Sequence, residues 1–304
     1  MIEAAISVQG LRKSYGENEA VAGIDFEVAA GEVFGFLGPN GAGKTTTIEI
    51  LEGYRERSGG EVSVLGVDPA APTRAWRERV GLVLQECELE PLITVREAVS
   101  LFARFYSRPR DVEETIDLVG LGDKRDERIG SLSGGQKRRA DVALGIVGDP
   151  DLIFLDEPTT GFDPSARREA WNMIEGLKAL GKTVFLTTHY MDEAQHLADR
   201  VAILRGGRIV AQGSTGEIAE AIGRSTVIGF ALDGALSLEE VRSALSGTVS
   251  AAGDQVEVQS QDPQRDLYRL LALAEERGAQ LRDLEVRRPN LEDVFLELTR
   301  EPAS

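Results

Sequence analysis

The sequence predicts an α/β protein built on a mostly parallel β-sheet, with an antiparallel β edge layer, a helical insertion and a small α+β domain after it. Three observations carry that reading. Short β-branched runs ("EVFGFLG", "RVGLVLQ", "DLIFLDEP", "KTVFLTTH", "RVAILRGG") alternate with longer amphipathic stretches up to about residue 212. Strands that are apolar on both faces and separated by helices belong to a parallel sheet covered on both sides. "ISVQGLRKSYG", "AVAGIDFEV" and "EVSVLG" instead alternate apolar with polar residues, as strands of an antiparallel edge layer do. From Glu86 onward the period turns helical in "TVREAVSLFARFYS" and "DVEETIDLVGLG", which predicts a helical insertion over about 86–145.

After "GRIVAQGSTGEIAEAIG" the pattern changes. Strand "STVIGFALD", helix "SLEEVRSALSG", strands "TVSAAG" and "QVEVQSQ", helix "PQRDLYRLLALAEERG" and strand "QLRDLEVRR" follow in the order of a split β-α-β, ferredoxin-like module. A last helix is expected at "NLEDVFLELTR". The expected domains are therefore 1–223 and 224–304, with the boundary near Gly223.

Composition narrows the classes. A chain of 304 residues that is 42% hydrophobic can build one large or two ordinary cores. No window approaches the ~20 consecutive apolar residues that span a bilayer, the longest candidate being "VALGIVG" from Val142 to Gly148. The start "MIEAAISVQG" lacks the features of a signal peptide, and Cys87 is the single cysteine, so a reducing cytoplasm is expected. The net charge of -17 and the absence of a long basic block argue against nucleic acid as the principal partner.

"GPNGAGKT" fits G-x-x-x-x-G-K-[S/T] between an apolar strand and a helical stretch. Its glycines let backbone N–H groups turn toward phosphate oxygens. Lys44 brings a cation to the β- and γ-phosphates, and Thr45 offers a hydroxyl to Mg²⁺. "DLIFLDEP" delivers Asp156 and Glu157 at a strand's carboxyl end, the edge where open α/β sheets bind ligands. Asp156 is then a candidate for the Mg²⁺ shell, and Glu157 for orienting or deprotonating a water. His189, one of two histidines, and Gln85 also close apolar strands at that edge; residue type alone leaves both open as packed or surface positions. "SLSGGQKRR", Ser131 to Arg139, places a serine and two glycines ahead of a helix, which reads either as a second anion-binding helix start or as an ordinary serine cap.

Taken together, "GPNGAGKTT", Gln85, "LSGGQ", "DLIFLDEP", "GFDP" and "TTH" occur in the order and approximate spacing of the ATP-binding cassette. The first ~220 residues closely resemble an ABC transporter ATPase subunit, a P-loop NTPase. The resemblance implies that Gly38, Pro39, Asn40, Gly41, Ala42, Gly43, Lys44, Thr45 and Thr46 form the phosphate loop. It makes Asp156 the Walker B aspartate, Glu157 the catalytic carboxylate, His189 the switch histidine and Gln85 the Q-loop glutamine, which joins Thr45 and Asp156 at Mg²⁺. Asp163 falls in the D-loop, where Phe162 stands in place of the commoner leucine. Tyr15 matches the aromatic that stacks on adenine, and it also reads as an exposed strand tyrosine.

The resemblance further implies ATP as cofactor and two cassettes packed head to tail. Ser133, Gly134, Gly135 and Gln136 of one would then close on the γ-phosphate held by the other, in a pair formed by two copies of the chain. It implies a separately encoded membrane permease, met near Gln85 and the helical insertion, and a peripheral place on the cytoplasmic side of the membrane. The ending "RRPNLEDVFLELT" is similar to that of daunorubicin-type drug exporters. This favours export of a hydrophobic drug, lipid or similar compound. Import with a ligand-sensing C-terminal domain and a soluble machine acting on DNA or ribosomes are the alternatives. The run "KRR" after the glycines reads either as flanking the bound nucleotide or as a solvated helix face, and the second is expected.

Overall fold

In the computed structural model, chain order begins with β1 (Ala4–Tyr15) and β2 (Asn18–Ala29), an antiparallel pair. Then come β3 (Val33–Leu37), α1 (Lys44–Leu51), β4 (Gly59–Val64), α2 (Arg74–Arg77) and β5 (Val80–Val83). The insertion supplies α3 (Val95–Ala103), α4 (Val112–Leu118) and α5 (Gly134–Ile146). The unit closes with β6 (Leu152–Asp156), α6 (Pro164–Ala179), β7 (Thr183–Thr188), α7 (Met191–Leu197), β8 (Arg200–Arg205) and β9 (Arg208–Gly213). The structure describes residues 4–83, 89–221 and 226–287, with 291, 292 and 295.

The sheets follow from the burial patterns. β2, β1 and β4 form a three-stranded antiparallel layer. The central sheet has the order β5-β6-β7-β3-β8-β9, parallel except for the β8–β9 hairpin. Every residue of β3, β6 and β7 is buried. Successive side chains of a strand point to opposite faces, so these strands feed two cores. Val33, Ile153, Leu155, Val184 and Leu186 join the insertion helices. Phe34, Phe36, Phe154 and Phe185 face the antiparallel layer; Phe26 of β2 meets Phe34, Phe36 and Phe185 at ring separations of 5.4 to 6.0 Å, and Phe154 lies 5.6 Å from Phe185. Such pairs add about 0.5–1.5 kcal/mol each beyond the area they bury.

The insertion is helical for legible reasons. Thr94 and Glu97 form a capping box at the start of α3, and Asp111 caps α4. Val95, Val99, Ile116, Val142 and Ala143 line the shared interior.

The chain divides between Gly213 and Ser214, which assigns α8 (Thr215–Ala221) to the second unit; the expected boundary at Gly223 lies outside the described residues. The second unit continues with β10 (Thr226–Ala231), α9 (Leu238–Ala244), β11 (Thr248–Ala252), β12 (Gln255–Ser260), α10 (Pro263–Arg277) and β13 (Arg282–Arg287). Its sheet runs β11-β12-β10-β13 with every neighbour antiparallel, the ferredoxin-like arrangement. Ile228, Phe230, Val256 and Val258 pack there on Val241 and Leu270 of the helices. The closing helix expected at "NLEDVFLELTR" lies largely outside the described residues.

Candidate nucleotide site

The parallel register pairs Leu37 with Thr188 and Asp156 with Thr187. The loop after β3, the carboxylates ending β6 and the histidine after β7 therefore come to one sheet edge. The phosphate loop has the backbone its sequence demands. A Cβ on Gly38 would stand 2.7 Å from the Leu204 carbonyl, and one on Gly43 2.5 Å from the Ala20 carbonyl, with Gly43 at φ 106°. Neither position admits a side chain. Pro39, Asn40 and Gly41 are exposed and Ala42 is buried.

Helix α1 starts without a side-chain cap, so its first N–H groups have no partner within the helix. Its first residue, Lys44, is buried; Nζ donates to the Gly38 carbonyl at 2.8 Å and lies 3.5 Å from Glu157 Oε1. Thr45 is exposed and Thr46 half-buried.

Asp156 is 8% exposed and accepts a hydrogen bond from the Thr187 hydroxyl. Burial raises its pKa, opposed by that hydroxyl, reinforced by the charge of Glu157 and opposed again by Lys44 and Arg138. Glu157 adopts φ 44°, a left-handed conformation for a residue with a side chain, a strain of about 1–3 kcal/mol. Its N–H is held by both the carbonyl and the hydroxyl of Thr187, at 3.1 Å each. Its Oε2 accepts from the Thr160 hydroxyl at 3.2 Å and stands 3.2 Å from His189 Nδ1. That nitrogen is close but not aligned as a hydrogen-bond donor, and it is buried without another partner. Lys44, Asp156, Glu157 and His189 thus converge, while Gln85 lies outside the described residues.

A second cluster forms at the start of α5. The Ser133 hydroxyl accepts from the Gln136 N–H at 3.3 Å, and the Gln136 side-chain oxygen accepts from the Ser133 N–H at 2.9 Å. Ser133 is therefore a helix cap. A Cβ on Gly134 would meet nothing within 4 Å, and one on Gly135 only ordinary contact with Ala166 at 3.5 Å. Asp163 caps α6, accepting from the N–H groups of Ser165 and Ala166. Ser133, Gly134, Gly135, Gln136, Asp163 and Glu157 line one cleft of about 940 Å³, and Lys44 is not among its walls.

Tyr15 ends β1, 42% exposed, with Lys13 Nζ 5.2 Å and the Arg55 guanidinium 5.4 Å from its ring centre. The basic run after the glycines departs from the expected solvated face. Lys137 is exposed and Arg139 pairs with Glu169 at 3.1 Å, but Arg138 is buried and donates to the carbonyls of Asp156 and Pro158. Sequence reading passed over Arg138 and Thr187. The available signal was position alone: Arg138 lies one helical turn before buried Val142, and Thr187 ends a strand beside Asp156.

Comparison with known proteins agrees with this geometry. Residues 21–160 match the family model described as ABC transporter, and residues 226–290 match the one described as ABC transporter domain-containing protein-like, C-terminal domain. The daunorubicin/doxorubicin resistance ATP-binding protein DrrA of Streptomyces peucetius is 39% identical, covering 98% of this chain and 93% of that protein. Nod factor export ATP-binding protein I of Rhizobium sp. strain N33 is 40% identical, covering 98% of each. The structure of cbiO1 from Clostridium perfringens, part of the ABC transporter complex cbiONQ, superposes with a TM-score of 0.65 at 29% identity, over 72% of this chain and 91% of that one. With the family's fold, its relatives along nearly the full length and an ATP-type phosphate loop at the sheet edge, this chain belongs to the ATP-binding subunits of ABC transporters and is an ATPase.

Proposed function

We propose that the chain is the ATP-hydrolysing subunit of an exporter, working as a head-to-tail pair of cassettes on the cytoplasmic side of a separately encoded membrane-spanning permease. The observation that carries the pairing is the glycine start of α5. Among the described residues nothing requires glycine at Gly134, where a side chain would find open space. A requirement for close backbone approach then comes from outside the chain, from a phosphate held by a second copy. Ser133, Gly134, Gly135, Gln136 and Asp163 of one protomer close on the nucleotide held by its partner, and ATP joins the pair.

Within each chain, the backbone of Gly38–Thr46 cradles the phosphates and the buried Lys44 neutralises the β- and γ-oxygens. Tyr15 stacks on adenine between Lys13 and Arg55. Glu157 takes a proton from the attacking water as its oxygen bonds to the γ-phosphorus and the bond to the bridging oxygen breaks, leaving ADP and phosphate. His189, 3.2 Å from Glu157 Oε2, positions that carboxylate and meets the γ-phosphate. The donors present fit Mg²⁺: the exposed Thr45 hydroxyl and the buried Asp156 carboxylate would hold it with Gln85 and phosphate oxygens. The ion supplies positive charge to the transferred group.

The permease docks where apolar groups stay in water. Tyr54, Trp76, Leu82, Phe102 and Tyr106 line a groove of about 490 Å³, and Tyr54 and Phe105 are 78% and 65% exposed. Leu82 is close in sequence to Gln85, and Phe102 and Phe105 belong to the insertion. No helix among the described residues is long and apolar enough to cross a membrane, which leaves a partner to provide the pathway. Relatives named for drug resistance and Nod factor export favour export over import, with a hydrophobic drug, lipid or similar compound as cargo.

The test is Glu157→Gln in saturating Mg-ATP. Hydrolysis should fall by about a hundredfold or more while light scattering reports a doubling of mass. A variant that binds ATP yet stays monomeric, alone and with its permease, overturns the head-to-tail reading.

A further inference from the structure

Arg138 sits one turn into α5 and is buried. Its Nη2 donates to the Asp156 carbonyl at 3.0 Å and its Nε to the Pro158 carbonyl at 3.3 Å. Those two carbonyls flank Glu157, the residue held at φ 44°. Thr187 grips the Glu157 N–H from β7, and Arg138 grips the peptide groups on either side from α5. A planar guanidinium with several fixed donors can serve two carbonyls at once; a lysine ammonium is a point charge on a flexible stem.

The same helix begins with Ser133–Gln136, tied to its first turn by the capping box. Beyond Arg138, Ala140, Val142 and Ala143 anchor α5 in the core of the insertion. Close-packed elements move as units, so displacement of the helix start reaches Arg138 instead of dissipating between the two.

We propose that Arg138 is a positioning residue that couples the two ATP sites of the pair. Contact of Ser133–Gln136 with the partner's nucleotide passes along α5, through the guanidinium, to the Asp156–Pro158 backbone. There it sets Glu157 for hydrolysis at the chain's own nucleotide. This rests on the head-to-tail reading proposed above, and it adds a link inside each chain from one composite site to the other.

The experiment compares full-length parent, Arg138→Met and Arg138→Lys by hydrolysis rate against ATP concentration. In parallel, Glu157→Gln with and without Arg138→Met is followed by light scattering in Mg-ATP. Both Arg138 variants should keep KM while kcat drops about tenfold to a hundredfold. The Hill coefficient should fall from toward two to about one, and pairing in the Glu157→Gln background should persist at the same ATP concentration. Arg138→Lys keeps the buried charge and carries the test if Arg138→Met lowers the melting temperature. An unchanged Hill coefficient in both variants, or a parent value of one, overturns the coupling, whatever happens to kcat. Loss of pairing in the double variant alone assigns Arg138 to the interface and also overturns it. Failure of Glu157→Gln itself to pair removes the head-to-tail reading and the coupling with it, whereas normal pairing with unaltered kinetics removes the coupling only.

Discussion

The phosphate loop and the start of α5 are both glycine-bearing approaches to a helix, yet their glycines answer to different neighbours. Gly38 and Gly43 are enforced from within, by the carbonyls of Leu204 and Ala20. Gly134 has open space and Gly135 only ordinary contact. The first site is finished by its own chain: Lys44 already reaches the Gly38 carbonyl and Glu157. The second has a satisfied cap and an open cleft, and the buried cation in its walls, Arg138, is turned to the Asp156 and Pro158 carbonyls. On the proposed pairing, the second segment is shaped by what it meets in a partner.

The comparison is broken most directly at Lys44. Lys44→Ala removes the buried cation of the finished site and should weaken ATP binding by about 2–5 kcal/mol, read by titration with a fluorescent ATP analogue. Undiminished affinity would take Lys44 out of the site. Next in size is the glycine pair. Gly43→Ala places a methyl against the Ala20 carbonyl at a left-handed φ and should cost about 1–3 kcal/mol or more, with a melting temperature several degrees lower and ATP affinity lost. Gly134→Val should leave melting temperature and monomer ATP affinity at parent values and abolish pairing and hydrolysis. Equal melting losses in the two variants would erase the distinction between the regions.

The smallest effect is expected at Glu52, the far end of the helix that Lys44 begins. Burial pushes its pKa up to about 8 from 4.5, helped by the negative charges of Asp156 and Glu49. The folded chain then holds a proton that the unfolded chain has released, so stability is lost as pH rises between about 4.5 and 8. Glu52→Gln should match the parent's melting temperature near the low end of that window and exceed it by a few degrees above the high end. A pH-independent difference would place the effect in packing instead.

Much of this was legible in the residues themselves. The inner strands β3, β6 and β7 announce themselves because they are buried on both faces, which leaves an apolar run such as Leu152–Leu155 without polar interruption. The phosphate loop is legible because its backbone needs glycine at fixed places. The second unit's β-α-β-β-α-β order survives because each helix carries its own cap, Ser237 and Asp262. Arg138 was not legible: in a run of three cations it looks solvated, and only the arrival of the Asp156–Pro158 turn at the end of β6 makes its place an interior one. Thr187 was hidden for a similar reason, since a threonine in an apolar strand differs from its neighbours only by what the adjacent strand sets beside its hydroxyl.

The phenylalanine cluster has a bearing on ligand length. Phe26 fastens the edge layer, which ends one strand in Tyr15, to β3 and β7, which end just before Gly38 and His189. With five rings fixing that spacing, the span from the tyrosine to the phosphate loop is set in the interior and not by flexible surface segments. On the proposed stacking of adenine on Tyr15, the cassette would act as a caliper: a ligand reaching from base to terminal phosphate would cross a gap that the core has already measured.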